Sequence, residues 1–151
     1  MSDRPYPDGV DCVWIASDRD CHMGVFVTAG IGPIPVHALN SDCVPVEDLE
    51  ELVCSMPTVS EARLLVAVKR PDDFIDLAER GFFVYDWTDI HRTTREAIRA
   101  YEPVAVPVSP IKADILLGEL ASVAKAVKFA EVTFANKQLL DVCAHMTCRL
   151  K

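Results

Sequence analysis

Three side chains in the segment YDWTDIH, residues 85–91, could carry out acid–base chemistry. Asp86, Asp89 and His91 follow a short apolar stretch that is typical of a β-strand. Carboxylates and imidazoles serve enzymes as general acids and bases, and open α/β sheets place ligand sites beyond the carboxyl ends of their strands. One hypothesis is therefore an enzyme or small-ligand-binding domain that uses these three residues. Ordinary loop residues ahead of a helix, with Trp87 as a partly buried anchor, are the alternative.

A second group of polar residues separates two apolar runs near the start of the chain. Asp18, Asp20, Cys21 and His22 occupy the middle of DCVWIASDRDCHMGVFVTAG, residues 11–30. Two carboxylates could bind a hard cation, but calcium and magnesium loops need further oxygen ligands that the following CHMGVFV does not supply. Aspartate also favours tight turns, where its carboxylate accepts hydrogen bonds from nearby N–H groups. We therefore expect a β-hairpin turn here and no metal.

The segment CAHMTC, residues 143–148, contains the residue types of a zinc site. A structural zinc needs four ligands in tetrahedral arrangement. On a helix, Cys143 and Cys148 would lie about 140° apart and His145 would point elsewhere. The spacing therefore predicts thiols buried in a core and no zinc.

Sequence signatures of common cofactors are absent. The loop GIGPIP, residues 30–35, lacks the Lys-Ser/Thr ending of a phosphate loop, and its prolines remove backbone N–H donors. The sequence has no dinucleotide fingerprint, no serine elbow and no zinc-protease helix. We therefore expect no cofactor.

Negative charge is concentrated in the first part of the chain. Residues 1–60 contain ten acidic residues and two arginines, whereas the whole chain has a net charge of −8. Nucleic-acid binding needs a positive surface, which this part does not provide. A basic protein is a more suitable partner than a nucleic acid for this negatively charged part of the chain. We expect the partner to contact an acidic surface, with Trp87 as an aromatic anchor if it is exposed. The acidic residues of this surface are Asp18, Asp20, Glu47, Asp48, Glu50 and Glu51.

The composition predicts one globular domain over residues 1–151. The chain has 151 residues, half of them hydrophobic, which is enough for a core without disulfides. No run approaches the roughly 20 apolar residues of a membrane span, and the N-terminus does not resemble a signal peptide. We therefore expect a cytoplasmic protein whose six cysteines are reduced and mostly buried.

Hydrophobic periodicity and helix signals predict a series of elements. We expect a β-hairpin over 11–29, a rigid loop over 30–35, helices over 44–57 and 70–81, and strands over 62–68 and 82–87. We further expect a helix over 93–101, an edge strand or extended connector over 102–110, a helix over 113–127, a strand over 128–134, and a helix or else a strand over 136–150.

These elements predict the fold class. Strand, helix and strand over 62–87 form a βαβ-like passage, whose strands should be buried parallel neighbours, whereas the first hairpin is antiparallel. Together these elements predict a single α+β domain. Its mixed sheet begins with the N-terminal hairpin, and helices pack on the sheet.

The stretches WIASDRD, HMGVFVTAGIGPIP, LAERGFFVYDWTDIHR and PVAVPVSPIKADIL together resemble a group of small, uncharacterised bacterial cytosolic proteins. In size, acidity and lack of catalytic motifs, the chain is also similar to the immunity proteins that neutralise polymorphic or contact-delivered toxins. In the resembling pattern, glycine is preferred at the turn position that Cys21 holds here. The resemblance implies a non-catalytic inhibitor of a basic toxin. A scaffold that oligomerises through the loop at 30–39 is a further alternative.

Overall fold

The computed structural model describes residues 5–7, 11–40, 44–67, 71–90 and 97–150. Its strands in these ranges are β1 Val13–Ser17, β2 Met23–Val27, β3 Ile34–Pro35, β4 Ala62–Leu64, β5 Phe83–Ile90, β6 Ala97–Pro107 and β7 Cys148–Arg149. Its helices are α1 Val36–Leu39, α2 Val46–Cys54, α3 Asp72–Glu79 and α4 Gly118–Ala124. Short 3₁₀ turns lie at Ala113–Ile115, Phe134–Asn136 and Val142–Ala144.

The central sheet is mixed and has the strand order β1-β2-β5-β6-β4. β1 and β2 form an antiparallel hairpin, and β5 joins β2 in parallel. β6 is antiparallel to both β5 and β4. A separate two-stranded sheet pairs β3 with β7. The prediction of a single α+β domain with a mixed sheet and an N-terminal hairpin is therefore confirmed.

The two faces of the sheet bury different kinds of side chain, because successive strand residues point to opposite sides. On one face, aliphatic residues such as Ile15 pack against Leu49 of α2 and Leu77 of α3. On the other face, aromatic rings form the core. Trp14 stacks on Phe26 with ring centroids 4.1 Å apart. The C-terminal part of the chain covers this aromatic face.

Helices α2 and α3 lie where the sequence predicts them. α2 buries Val46, Leu49 and Val53, as its helical spacing requires. Gly81 follows α3 with φ +93°, and a Cβ atom there would lie 2.5 Å from Cγ2 of Ile111. This glycine therefore ends the helix as predicted. Within the described ranges, no helix combines the length and apolar character that crossing a membrane requires.

Strand β4 is shorter and more exposed than the sequence predicts. It lies at the edge of the sheet, where Arg63 and Leu64 are exposed. The prediction that β4 and β5 are buried neighbours is wrong, because β6 lies between them. β4 and β5 nevertheless run in the same direction, since both are antiparallel to β6. The βαβ-like passage therefore exists as a split unit.

Strand β6 replaces two predicted elements. The helix predicted over 93–101 is wrong for 97–101, which belongs to this strand, and residues 93–96 lie outside the described ranges. The edge position predicted for 102–110 is also wrong, because β6 pairs on both sides. Pro103 lies opposite Tyr85 at a shift in register, where the ladder is already interrupted and a missing N–H costs little.

The C-terminal third contains less regular structure than its periodicity predicts. The helix predicted over 113–127 is reduced to a 3₁₀ turn and α4. The strand predicted over 128–134 is wrong apart from one bridge between Lys128 and Ser17. The helix predicted over 136–150 is wrong as well, and the strand alternative holds only for β7.

Long-range backbone hydrogen bonds explain this difference. Phe129 N–H donates to the Ser17 carbonyl at 2.8 Å. Leu140 exchanges two backbone hydrogen bonds of 2.9 Å with Tyr101. Backbone groups that are bound to distant strands are not available for a local helix.

Candidate functional site

The polar turn between β1 and β2 is a structural element of the fold. The side chain of Asp18 is fully buried, and its Oδ1 accepts hydrogen bonds from the N–H groups of Asp20 and His22, each at 2.9 Å. Its Oδ2 accepts a third hydrogen bond, from Phe134 N–H at 2.9 Å. The turn prediction is therefore confirmed. Asp18 does not belong to an acidic surface, however, because its carboxylate is needed inside the protein.

The same turn brings together one group of possible metal ligands. Donor atoms of Asp18, Asp20 and His22 lie within 4.8 Å of one another. Nδ1 of His22 lies 4.0 Å from Asp18 Oδ2 and has no hydrogen-bond partner. Because Asp18 already accepts three backbone hydrogen bonds, its position is explained by the closure of the hairpin. Asp20 is exposed.

Of the alternative catalytic residues Asp86, Asp89 and His91, the structure describes the side chain of Asp86 alone. Asp86 is 9% exposed and lies opposite Glu102, which is 4% exposed, across β5 and β6. Both carboxylates have interaction partners within the chain. Asp89 is described by its backbone alone, and His91 lies outside the described residues. The sequence reasoning missed Glu102, whose burial depends on the unexpected strand β6.

Trp87 is a core residue. Its side chain is 7% exposed, and its ring centroid lies 5.3 Å from that of Tyr101. The sequence offers Trp87 as an anchor only if its side chain is exposed, and this condition is not met. The loop at 30–39 is also internal for the most part, since Pro33, Ile34 and Leu39 are buried. It offers little apolar surface for oligomerisation.

The helix on which the separation of Cys143 and Cys148 was predicted is absent, because a 3₁₀ turn and strand β7 occupy this segment. Cys12 is buried as expected, whereas Cys143 is exposed and Cys21, Cys54 and Cys148 are partly buried. Cys43 lies outside the described residues.

The helices α2 and α3 both carry several exposed acidic side chains. We define the acidic surface as the six exposed carboxylates Glu47, Asp48, Glu51, Asp72, Asp73 and Asp76. Glu47 and Glu51, like Asp72 and Asp76, are four residues apart and therefore lie on the same side of their helix. The α2 members are among the partner-binding residues that the sequence predicts, and the α3 members are not.

Like charges approach one another where α2 meets α3. Burial raises the pKa of the Glu50 carboxyl, and the negative charges of Asp73 and Asp11 raise it further. Glu50 therefore lies near carboxylates of both helices and of a third segment, the residues just ahead of β1. Asp11 had not been predicted as part of this group, because only the packing of the helices on the sheet brings it near.

Arg80 is a basic residue within this region, and its side chain binds backbone carbonyls. The guanidinium of Arg80 donates to the carbonyls of Cys54 at 3.0 Å, Met56 at 3.2 Å and Asp76 at 3.0 Å. It thus ties the end of α2 to α3. In the part of the chain that the structure describes, none of the six carboxylates of the acidic surface forms an ion pair. Their charge is therefore directed to solvent.

A groove borders α2 on the side away from Glu50. It has a volume of about 350 Å³ and is lined by Asp48, Glu51 and Ser55, by Glu119 of α4, and by the apolar Val44, Pro45 and Leu52. Three carboxylates around an apolar wall suit the aliphatic stem and charged end of a lysine or arginine side chain. Sequence spacing could not reveal Glu119, which comes from a separate helix.

Comparisons with known proteins give no relative for this chain: no protein-family model, no curated protein and no solved structure matches it.

Proposed function

We propose that the protein is a non-catalytic, immunity-type inhibitor that binds a basic protein toxin through the acidic surface of α2 and α3. The observation that carries this proposal is the concentration of carboxylates around Glu50, where no described residue forms an ion pair with the acidic surface. Such a concentration repels itself in the free protein. A positively charged partner would relieve the repulsion.

Charge of this kind acts first on the rate of association. A negative surface attracts a positive partner over distances of about one Debye length, roughly 8 Å at physiological ionic strength. Complementary charge raises association rates and selects among partners. Because Glu47, Asp48 and Glu51 are exposed, they can contribute to this long-range attraction before contact.

The groove beside α2 provides the contact itself. A lysine or arginine of the partner can lay its aliphatic stem against Val44, Pro45 and Leu52 while its charge meets Asp48, Glu51 or Glu119. Residues that bury both apolar and charged atoms in a pocket supply most of the affinity of an interface. With Trp87 in the core, the groove takes the place of the expected aromatic anchor.

The experiment is a co-expression assay with the C-terminal domain encoded by the open reading frame directly upstream of this gene. We expect that domain to be basic, to stop growth when expressed alone, and to be neutralised by this protein. The triple variant Glu47→Gln, Asp48→Asn, Glu51→Gln should protect at least about tenfold less well in colony counts. Failure of the upstream domain to affect growth, or equal protection by the variant, would contradict the proposal.

A further inference from the structure

Strand β4 leaves one edge of the central sheet open. It is the last strand in the order β1-β2-β5-β6-β4, so its outer side has no strand beside it in the part of the chain that the structure describes. Leu65 N–H donates to the Val104 carbonyl at 2.9 Å, and Val108 N–H donates to the Glu61 carbonyl at 2.9 Å. The backbone groups of Glu61 and Leu65 are therefore directed toward β6.

Alternate residues of β4 present their backbone groups to the open edge. In an antiparallel pair, the N–H and C=O groups of one residue point to the same side, and those of the next residue point to the opposite side. Since Glu61 and Leu65 point toward β6, Arg63 does so as well. The N–H and C=O groups of Ala62 and Leu64 then point away from β6. An edge of this kind is a template for pairing with another extended chain.

Two grooves lie between β4 and the C-terminal segment, on the aromatic face of the sheet. Their volumes are about 430 Å³ and 280 Å³, and Leu65 and Lys137 line both of them. Phe83 and Val106, which belong to the aromatic core, line the larger groove. The grooves therefore mark the part of this face that the C-terminal segment does not cover.

Apolar side chains at these grooves are exposed to solvent. Leu65, Val108 and Leu139 are between 37% and 46% exposed, and each lines at least one groove. Contiguous exposed apolar surface in a folded protein is typical of a site that binds another molecule. Here it accompanies a strand edge that can supply hydrogen bonds, which is the combination that binds extended peptide segments.

The charge at the larger groove is opposite to that of the protein as a whole. Among the described residues that line it, the charged ones are Arg63 and Lys137, both exposed, in a chain of net charge −8. The smaller groove adds Glu102, which is 4% exposed and has an interaction partner within the chain. Opposite charges that face each other across paired strands stabilise the pairing. A strand that carries a carboxylate therefore complements this edge.

We propose that the open edge of β4 binds an extended segment of a partner protein, which carries acidic and apolar side chains on one face and joins the sheet as a further strand. Its backbone pairs with Ala62 and Leu64. An acidic side chain of the segment meets Arg63, and an apolar side chain two positions along, on the same face, contacts Leu65. This site shares no residue with the acidic surface of α2 and α3 and does not depend on the function of that surface.

Arg63 also disfavours a second copy of this chain as the occupant. In an antiparallel pair of two β4 strands centred on this residue, two arginines would face each other, and like charges in that position destabilise the pair. Charged side chains on edge strands oppose self-association in this way. The same side chain attracts a strand of the opposite charge.

The experiment titrates the whole isotope-labelled protein with the end-blocked peptide TLTETLT and follows the backbone amide signals by NMR. In an extended conformation, the leucine and glutamate side chains of this peptide share one face. We expect saturable shifts of the Ala62, Leu64 and Lys137 signals. The peptide TLTKTLT, which replaces the acidic side chain with a basic one, should bind about fivefold more weakly.

Two methylated forms of TLTETLT test the backbone pairing. One carries N-methyl groups on its threonines, and the other carries them on its leucines and glutamate. Because a strand presents alternate N–H groups to one edge, one of these forms should lose binding and the other should keep it. Equal binding of the two forms would overturn strand addition.

A charge-reversal variant tests the role of Arg63. Arg63→Glu should reverse the preference, so that TLTKTLT binds more tightly than TLTETLT. The matched control Lys125→Glu makes the same change of charge at an exposed residue outside both grooves and should keep the wild-type preference. Both variants should keep the wild-type thermal unfolding midpoint, since both residues are exposed.

Three results would overturn the proposal. The first is that neither peptide shifts the β4 signals at millimolar concentration. The second is that TLTETLT and TLTKTLT bind the wild type equally well. The third is that the β4 signals shift with protein concentration alone, which would identify a second copy of the chain as the occupant.

Discussion

The carboxylate of Asp18 accepts a hydrogen bond from the backbone N–H of Phe134 at 2.9 Å, between residues 116 positions apart in the chain. Phe134 is fully buried in the aromatic face of the core. The contact therefore fastens the C-terminal covering segment to the hairpin turn. The polar turn between β1 and β2, a possible reactive site in the sequence, therefore attaches the N-terminal hairpin to the C-terminal segment.

Removal of the Asp18 carboxylate should strongly destabilise the protein. Asp18→Ala leaves three backbone N–H groups without their acceptor, and we expect a loss of about 3 kcal/mol in the free energy of unfolding. Urea denaturation measures this loss. Asp20→Ala, at an exposed neighbour, should change stability by less than about 0.5 kcal/mol. Similar effects of the two substitutions would contradict the assignment.

The turn position of Cys21 should prefer glycine. Its φ of 66° lies in the left-handed region, which costs an ordinary L-residue about 1 kcal/mol. Cys21→Gly should therefore stabilise the protein by up to about 1 kcal/mol, less the extra entropy of glycine in the unfolded chain. Cys21→Ser should have little effect on the unfolding midpoint. Destabilisation by glycine would show that the thiol supports the turn.

Neutralising Glu50 should stabilise the protein at neutral pH. Because the pKa of Glu50 is raised, the folded protein binds this proton more tightly than the unfolded chain does, and the ionised group costs stability. That cost disappears as pH falls through the raised pKa. Glu50→Gln should therefore gain less than about 1 kcal/mol at neutral pH, and the gain should vanish at acid pH.

Chemical denaturation at a series of pH values measures the effect of Glu50→Gln. The exposed Glu131 provides the control, since Glu131→Gln should leave the pH dependence of the wild type unchanged. A gain from Glu50→Gln that stays constant down to acid pH would contradict the electrostatic explanation.

Loss of Arg80 should loosen the connection between α2 and α3. Its guanidinium donates to carbonyls of Cys54, Met56 and Asp76, so Arg80→Ala should cost about 1–3 kcal/mol in unfolding experiments. Arg80→Lys should recover only part of this, because an ammonium cannot reproduce the planar set of donors. Full recovery with lysine would mean that charge alone matters at this position.

The sequence correctly predicts the elements whose formation depends on residues that are close together in the chain. Val46, Leu49 and Val53 repeat at helical spacing and define the buried side of α2 without help from the rest of the fold. The alternation of Val13 and Ile15 with Trp14 and Ala16 did not by itself show that both faces of β1 are buried. The second face of β1 is buried because the C-terminal segment covers it.

Strand β6 shows where such reasoning fails. Ala97–Tyr101 has a helix-compatible spacing, but this stretch pairs with β5 in the sheet, and Tyr101 is buried among the aromatic rings. The same tertiary origin explains the missed Glu102 and Glu119. The spacing of Cys143 and Cys148 was likewise judged on a helix that the fold does not contain.

The sequence predicts which acidic residues α2 carries, but it does not predict how they are arranged in space relative to those of α3. Glu47, Asp48, Glu50 and Glu51 are evident from the sequence, whereas their meeting with Asp73 depends on how two helices pack on one sheet. Asp18 shows the opposite case. It counts as a negative charge in the sequence and is absent from the surface in the fold.

We expect the position of the acidic surface, and not net charge alone, to determine how tightly a basic partner binds. The most direct test measures binding of a lysine-rich peptide to the wild type and to two triple variants with the same change in charge. One is Glu47→Gln, Asp48→Asn, Glu51→Gln. The control is Asp114→Asn, Glu131→Gln, Asp141→Asn, at residues that are exposed elsewhere. We predict that the first variant binds about tenfold more weakly than the control at the same salt concentration. Equal losses of affinity in the two variants would contradict the account.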